Sequence, residues 1–372
     1  MLNKSPFILM AVYNQIQHDA RVIRAAECIS KTGENICVLS CNSDPNYSNP
    51  LFTSVSLSSS LKGPLLLIRF WLFVFCFCVK NKLNIKLLYM HDYFMPYIGK
   101  ILSFFLHKKW IYDAHELLLQ NKKNRMGLRA LFFLYNERFS IRNASLVIAA
   151  NDERARIIKY VYKLRNVISV CNIAPYNNDY TLDEETKRED YIVYQGVLSE
   201  ERQISTYIKM LCHLPDYVKL KLIGGGPDSQ YYNTLVNDLH LENRVKFTGR
   251  IPYARLIEES RGCKIGIVSY LMDDLNNYYC SPNKLFEYIQ YGIPVIVSPQ
   301  PFLKAVVSKF SIGEVWDIRK DSMASFVEKV MKILNNRSAY QSGMNSFNAI
   351  YTCENEMKKM EKAVCDVLCQ LK

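Results

Sequence analysis

The chain has 372 residues, 49% of them hydrophobic and 22% charged, a length that favours two domains over one and a composition that excludes a disordered or fibrous protein. Its net charge of +12 lies wholly in the first half, where residues 1–180 carry 23 Lys+Arg against 11 Asp+Glu, while residues 181–372 carry 24 of each. A basic half suits a polyanion or an anionic membrane, and the absence of any helix-turn-helix, zinc or RNA-stacking signature argues against nucleic acid.

In chain order, "PFILMAV" (6–12) reads as a buried strand, because its seven or so apolar residues give way to polar ones too soon for a signal peptide. Asp19 is a suitable N-cap for a helix that places Val22, Ile23, Ala26 and Ile29 at helical spacing. Strand 35–40 follows, then a loop rich in Asn, Ser and Pro over 42–60. "PLLLIRFWLFVFCFCVK" (64–80) is strongly apolar, but it is shorter than the roughly 20 residues of a spanning helix, and Arg69 interrupts it. It is expected to be a packed domain helix with one face able to touch a bilayer interface. Strand 85–90, a helix near 94–106, strand 109–114, a basic helical stretch over 121–139, strand 145–150, a helix from Asp152 and strand 166–170 complete the half. This alternation predicts a doubly wound parallel sheet. The twelve cysteines, Cys76, Cys78 and Cys263 among them, form no paired CxxC and read as small buried hydrophobes.

The charge-dense stretch 176–190 is the expected linker. Beyond it the logic repeats. Strand 191–195 runs to Gly196 and a helix after Glu200, and strand 218–224 runs to "GGGPD" and a helix. Strand 244–247 leads to "TGRIPY" and a helix, and strand 264–269 leads through a loop to a helix at 281 and strand 293–298. A last helix, about 354–371, carries Met357, Met360, Val364, Val367, Leu368 and Leu371 on one side, as a docking helix does. The predicted architecture is two Rossmann-like α/β domains, 1–178 and 179–350, with residues 351–372 returning to the first domain.

In open α/β sheets ligands bind beyond the carboxyl ends of the strands. That edge here holds Gly196, Gly224–Gly226, Gly249 and the start of the helix in "SPNKLFEYIQYGIPVI" (281–296). Ser281 suits an N-cap, Pro282 the first helical position, and Gly292 followed by Pro294 a stop. Steps of three put Ser281, Lys284 and Glu287 on one face, with Leu285 and Ile289 turned to the core. Free N–H groups, a helix dipole and an ammonium in one place form an anion site suited to a diphosphate, beside which Glu287 can accept from sugar hydroxyls. Arg202, following Gly196, offers a guanidinium fork for phosphate oxygens.

The ordered blocks "YQGVLSEER", "LKLIGGGPDSQY", "RVKFTGRIPYARL", "IGIVSY" and "SPNKLFEYIQYGIPVIVS" resemble the donor domain of GT-B glycosyltransferases of family four, the group 1 glycosyltransferases. "HDARVIRAAECISKTGENICVLS", "WIYDAHELL", "SLVIAANDE" and "VISVCNIAPY" resemble their first domain more loosely. The resemblance implies a GT-B fold and a metal-independent, retaining transfer of a sugar from a nucleotide-diphosphate sugar, UDP- or GDP-linked, to a saccharide or lipid-linked saccharide, with no cofactor. It implies that Arg202 and Lys284 bind the donor diphosphate, that Glu287 holds the ribose, and that Gly249 and Arg250 lie at the nucleobase. Gly196, Gly225, Ser281, Asn283 and Leu285 would line the phosphates. His115 would face the transferred sugar, and His18, Asp19 and Arg21 would lie towards the acceptor.

Two positions depart from the family. Tyr279 stands where relatives often carry a first glutamate, and "VYNQIQHDAR" lacks their paired glycines, so the acceptor side is expected to differ. Asp-x-Asp occurs nowhere, which argues against a metal-chelating glycosyltransferase of the other main fold. Lys108, Lys109, Lys122, Lys123, Arg125 and Arg129 among apolar neighbours suggest reversible attachment to the inner face of a bacterial cytoplasmic membrane, in surface polysaccharide synthesis. The competing functions are a nucleotide-sugar epimerase on the same scaffold and a non-catalytic partner subunit. GxGxxG does not follow the first strand, which disfavours a nicotinamide dehydrogenase.

Overall fold

A computed structural model of the chain describes residues 5–119, 127–176 and 188–370. They form two compact units, Met1–Asn172 with Glu354–Lys372, and Ile173–Cys353.

The first unit holds seven strands: β1 (Phe7–Val12), β2 (Asn35–Cys41), β3 (Thr53–Leu57), β4 (Ile85–His91), β5 (Trp110–Ala114), β6 (Leu146–Ala149) and β7 (Val167–Ser169). All pair in parallel, in the order β3-β2-β1-β4-β5-β6-β7. Every residue of β1 is buried, which is why it reads as a continuous apolar run and not an alternating one. The switch in winding falls between β1 and β4, whose carboxyl ends are neighbours. β3 corrects the expected loop over 42–60. "TSVSL" is an edge strand with no residue fully buried, so it needs few aliphatic side chains, and its Ser/Thr content hides the ladder.

The helices of this unit are α1 (Ala20–Ser30), α2 (Gly63–Lys80), α3 (Pro96–Leu106), α4 (Leu128–Ser140) and α5 (Asp152–Tyr162). Asp19 caps α1, its carboxylate accepting from Val22 N at 3.2 Å. α2 buries Leu67, Phe70, Val74 and Cys78 along one side. Cys76, expected inside, is exposed on the other. α4 begins later than the predicted stretch, whose residues 121–126, with Lys122, Lys123 and Arg125, lie outside the described residues. The C-terminal helix, Cys353–Cys369, puts Met360, Val364 and Val367 into the same core as Ile8, Met10 and Ile111. Glu356 accepts from Cys171 N at 2.7 Å.

The second unit is a six-stranded parallel sheet. Its strands are β8 (Glu189–Gln195), β9 (Lys219–Ile223), β10 (Val245–Gly249), β11 (Cys263–Val268), β12 (Val295–Val297) and β13 (Gly313–Val315). The order is β10-β9-β8-β11-β12-β13, so the switch in winding lies between β8 and β11. The helices are α6 (Ile204–Met210), α7 (Ser229–Asp238), α8 (Tyr253–Arg261), α9 (Leu275–Tyr278), α10 (Asn283–Gln290), α11 (Pro301–Phe310), α12 (Met323–Asn335) and α13 (Gln341–Ile350). Three-residue β13 and the helices around it fall where the sequence predicts no element. A strand that short carries no periodicity to read.

Candidate functional site

α10 starts one residue later than its sequence suggests. Pro282 occupies the N-cap, extended at ψ 140°, and Ser281 precedes it. The other end closes as predicted: Gly292 adopts φ +65°, its N–H meets Ile289 O at 3.0 Å, and Ile293 N–H meets Tyr288 O at 2.8 Å. This paired closure needs the left-handed conformation that glycine adopts at little cost. The helix is seated by its buried face of Leu285, Phe286, Tyr288 and Ile289. Tyr288 lies so close to β11 that a Cβ on Gly266 would stand 2.3 Å from its ring.

At the carboxyl end of β8 the chain turns through Gly196, and β9 and β10 end beside it. Gly196 N–H bonds Ile223 O at 2.9 Å and Gly224 N–H bonds Gly249 O at 3.0 Å. A Cβ on Gly224 would meet Gly196 O at 2.0 Å, so only glycine permits this convergence of strand ends. Gly225 packs against the Arg250 side chain, itself exposed.

Lys284 is buried at 8% exposure and crosses the switch point between β8 and β11. Its ammonium sits 4.0 Å from the centre of the Tyr194 ring and 5.3 Å from that of Tyr270. The Arg202 guanidinium lies over the same Tyr270 ring at 4.2 Å and donates to Asn277 Oδ1 at 3.4 Å. Arg202 stands on a single 3-10 turn, Glu200–Arg202, and not in the helix expected there. Among the described residues neither cation forms a salt bridge. Burial, then the neighbouring Arg202, pushes the Lys284 ammonium down to about 7. Nearby Glu287 acts in the opposite direction but does not offset burial and Arg202; two like charges brought over one aromatic face are unfavourable, and an anion between them reverses the sign.

Glu287, one turn beyond Lys284 and equally buried at 8% exposure, accepts from Gln195 Nε2 and from Tyr253 Oη at 3.1 Å. Gln195 in turn accepts from Ser260 Oγ at 3.1 Å. The carboxylate is thereby fixed at the same edge as the two cations. Asn283 is exposed at the helix start. Leu285 cannot serve as expected, since its side chain is fully buried and its N–H is bonded to Pro282 O at 3.0 Å. Tyr279 is half-buried at the end of α9. The structure thus gathers Gly196, Arg202, Gly225, Gly249, Arg250, Lys284 and Glu287 at one sheet edge. Sequence reading missed Tyr194, Gln195, Tyr253 and Tyr270, although Tyr194 and Gln195 close the strand before Gly196 and Tyr270 follows the strand at 264–269.

In the first unit β5 carries buried Asp113 one residue before its end, and the Asp113 Oδ1 accepts from Arg21 Nε at 3.0 Å and Nη2 at 2.6 Å. Tyr89 Oη donates to Oδ2 at 3.3 Å, and His91, paired with Asp113 in the sheet, has Nδ1 3.6 Å from the same oxygen. Burial alone would raise the Asp113 carboxyl, yet the Arg21 guanidinium and the neighbouring His91 imidazole hold it well below the usual carboxylate range. His115 Nε2 is 3.4 Å from His91 Nδ1, and burial lowers its imidazole to about 4. Arg21 also bonds Val170 O through Nη1 at 3.0 Å, so its guanidinium is committed inside the unit. Asp19 is the α1 cap and His18 is exposed. His91 was not foreseen. The donor atoms of His91, Asp113 and His115 lie within 4.8 Å of one another, as metal ligands can, but the Arg21 guanidinium already balances the one carboxylate of these three residues.

Residues 182–346 match the family model described as "Glycosyl transferases group 1". No curated protein matches the chain. Among solved structures, the sucrose-phosphate synthase of Thermosynechococcus elongatus is similar with a TM-score of 0.79 at 16% identity, covering 98% of this chain and 100% of that one. Anabaena HepE in complex with UDP gives 0.73 at 14% identity, covering 98% and 100%. WaaG, a glycosyltransferase involved in lipopolysaccharide biosynthesis, gives 0.74 at 12% identity, covering 96% and 99%. These likenesses show the GT-B fold expected from the sequence.

Proposed function

We propose, from the match of residues 182–346 to the model of the group 1 glycosyl transferases, that the protein moves a sugar from a nucleoside-diphosphate sugar to a saccharide or lipid-linked saccharide, with retention at the anomeric carbon. The observation that carries this reading is the convergence of Arg202 and Lys284 on the Tyr270 ring with no salt-bridge partner among the described residues. In the proposed reaction the bond from the anomeric carbon to the donor phosphate oxygen breaks, and its electron pair leaves with the diphosphate. The two cations and the first amides of α10 take up the charge that develops there, in a site where it is worth more than in water. The acceptor hydroxyl bonds to the anomeric carbon on the same face and gives its proton to the departing phosphate oxygen.

Glu287, steadied by Gln195 and Tyr253, is placed to accept from the ribose hydroxyls. His115 is assigned to the transferred sugar by the family resemblance, and surface polysaccharide assembly is the process this chemistry suits. HepE has been solved with UDP, with UDP and glucose, and with UDP-glucose, which makes a uridine donor the first to test. The test is a thermal-shift screen of UDP-, GDP-, ADP- and CMP-sugars, followed by a crystal soaked with the nucleoside diphosphate that shifts. Density against Arg202, Lys284 and Glu287 is expected. Density elsewhere, or no shift with any donor, overturns the reading.

A further inference from the structure

The three consecutive helices α2, α3 and α4 of the first unit show an outer face of the wrong chemistry for water. On α2 the side opposite the core carries Leu65 at 64% exposure, Ile68, Leu72 at 59%, Cys76 and Val79, a stripe at spacings of three and four. On α4 the exposed stripe is Leu128 at 87%, Phe132, Tyr135 and Phe139. α3 bridges the two. Its Phe104, at 75% exposure, neighbours Phe105, whose ring meets Phe75 of α2 at 6.0 Å. Its Lys100 lies 3.2 Å from the centre of the Phe139 ring. A helix apolar on every side is a helix that something covers.

The charges say what covers it. Arg69 and Lys80 on α2, Lys100 on α3, and Arg129 and Arg138 on α4 are the cations of these helices. Their one acid, Glu137, is buried against Tyr112 and Tyr162. A second copy of the chain would bring the same cations to the contact and be repelled. A bilayer with anionic headgroups offers what both kinds of residue need, acyl chains for the stripe and phosphates for the rim, with aromatic rings at the boundary between them. We propose that the α2–α3–α4 face is a docking surface for an anionic lipid bilayer, entered by the two apolar stripes and held by the five cations around them.

α2 is long and apolar enough to cross a membrane, yet it lies along this face. Both its ends join strands of one parallel sheet, its buried side is spent on the core, and the Trp71 indole bonds Phe94 O at 2.9 Å. Docking goes beyond glycosyl transfer and stands or falls without it, because its readouts need no donor.

The experiment is co-sedimentation of the full chain with vesicles of phosphatidylcholine, alone or mixed with phosphatidylglycerol, at low and high salt. Trp71 is the one tryptophan that is not buried, so quenching by brominated lipid reports its approach to the acyl region. Expected are preferential binding to the mixed vesicles, weakening with salt, and quenching. A variant carrying Ile68→Ser, Leu72→Ser, Phe132→Ser and Phe139→Ser should keep its melting temperature and bind the mixed vesicles at least about tenfold more weakly. A second variant with Arg69→Gln and Arg138→Gln should lose the preference for anionic vesicles but keep residual binding. Equal binding to both vesicle types, or unchanged binding by the serine variant, overturns the proposal. So does a concentration-dependent dimer that the serine variant dissolves, which would assign the face to a second copy.

Discussion

Replacing Lys284 by Met tests whether the donor edge stores unfavourable charge for a ligand. In the ligand-free protein the ammonium is lowered from the ordinary 10.5 to about 7. Between those values the unfolded chain binds more protons than the native one, so stability rises with pH across that window and the penalty is fully present below it. The shift corresponds to a native-state penalty of at most about 5 kcal/mol near pH 6.5, falling to about 1 kcal/mol near pH 9.5. Lys284→Met keeps the stem and removes the charge. In phosphate-free buffer near pH 6.5 it should stabilise the second unit by at least about 1 kcal/mol, or roughly 2–4 °C, with the gain shrinking towards pH 9.5. The same substitution should weaken nucleoside diphosphate binding by roughly 100-fold, the loss of one buried charge-assisted contact. Calorimetry in buffers of different ionisation enthalpy adds a second readout. Near pH 8 the free amine is mostly neutral and a bound diphosphate recharges it, so the wild type should take up close to one proton on binding and the variant almost none. A variant that melts lower near neutral pH, or that takes up protons as the wild type does, would refute the reasoning, because it would mean that the ammonium is already satisfied or is not where the anion binds.

Glu287→Gln should weaken a nucleoside diphosphate at least about tenfold while leaving inorganic pyrophosphate nearly unchanged, since the carboxylate is assigned to ribose and not to phosphate; parallel titrations check it. Asp113→Asn should destabilise the first unit by about 3–5 kcal/mol by stranding Arg21 in the core, read by denaturant unfolding. Because the Asp113 carboxyl is depressed in the native state, its contribution is present above the ordinary carboxylate range and is lost as pH falls through the native value, so the variant's deficit should shrink in strong acid. Gly266→Ala should cost at least about 1–3 kcal/mol by overpacking against the Tyr288 ring, read by denaturant unfolding, and Tyr288→Phe should not relieve the loss because the ring carbons in the way remain.

The alternation of buried strands and amphipathic helices was legible because a doubly wound parallel sheet buries its strands on both faces and leaves continuous apolar runs. β1, β4 and β11 announced themselves in this way. β3 did not, because an edge strand such as "TSVSL" satisfies its ladder with backbone alone. β13 did not, because three residues set no period. The α10 site was legible to the extent that it depends on local rules: Gly292 as a stop, the three-residue steps from Lys284 to Glu287, and glycines at strand ends. What the sequence could not show was which side chains from distant strands complete it. Tyr270 lies between Arg202 and Lys284 only because β8 and β11 are neighbours across the switch point, and Tyr253 reaches Glu287 only because α8 and α10 lie together. Arg21 shows the same limit. Its commitment to Asp113, 92 residues away, is invisible before the sheet is assembled.

The Arg21–Asp113 and Lys284–Arg202 pairs hold charge in opposite ways, and the contrast separates structural charge from functional charge. Arg21 and Asp113 form a closed pair, with the guanidinium bonded through three nitrogens and the carboxylate accepting at both oxygens. Such a pair needs nothing from outside, and removing either half only leaves the other stranded. Lys284 and Arg202 are an open pair of equal sign held over one tyrosine ring. Packing alone gives no reason to keep them there, since Met at position 284 would fill the space without the desolvation cost. An arrangement that lowers native stability persists when something bound returns the energy. The charge that must come is negative, it must span two cations and a helix start, and it must lie next to a fixed carboxylate that repels anions and welcomes hydroxyl donors. A diphosphate joined to a ribose meets all of these conditions, whereas a bare phosphate leaves Glu287 unused and a carboxylate ligand leaves one cation unpaired.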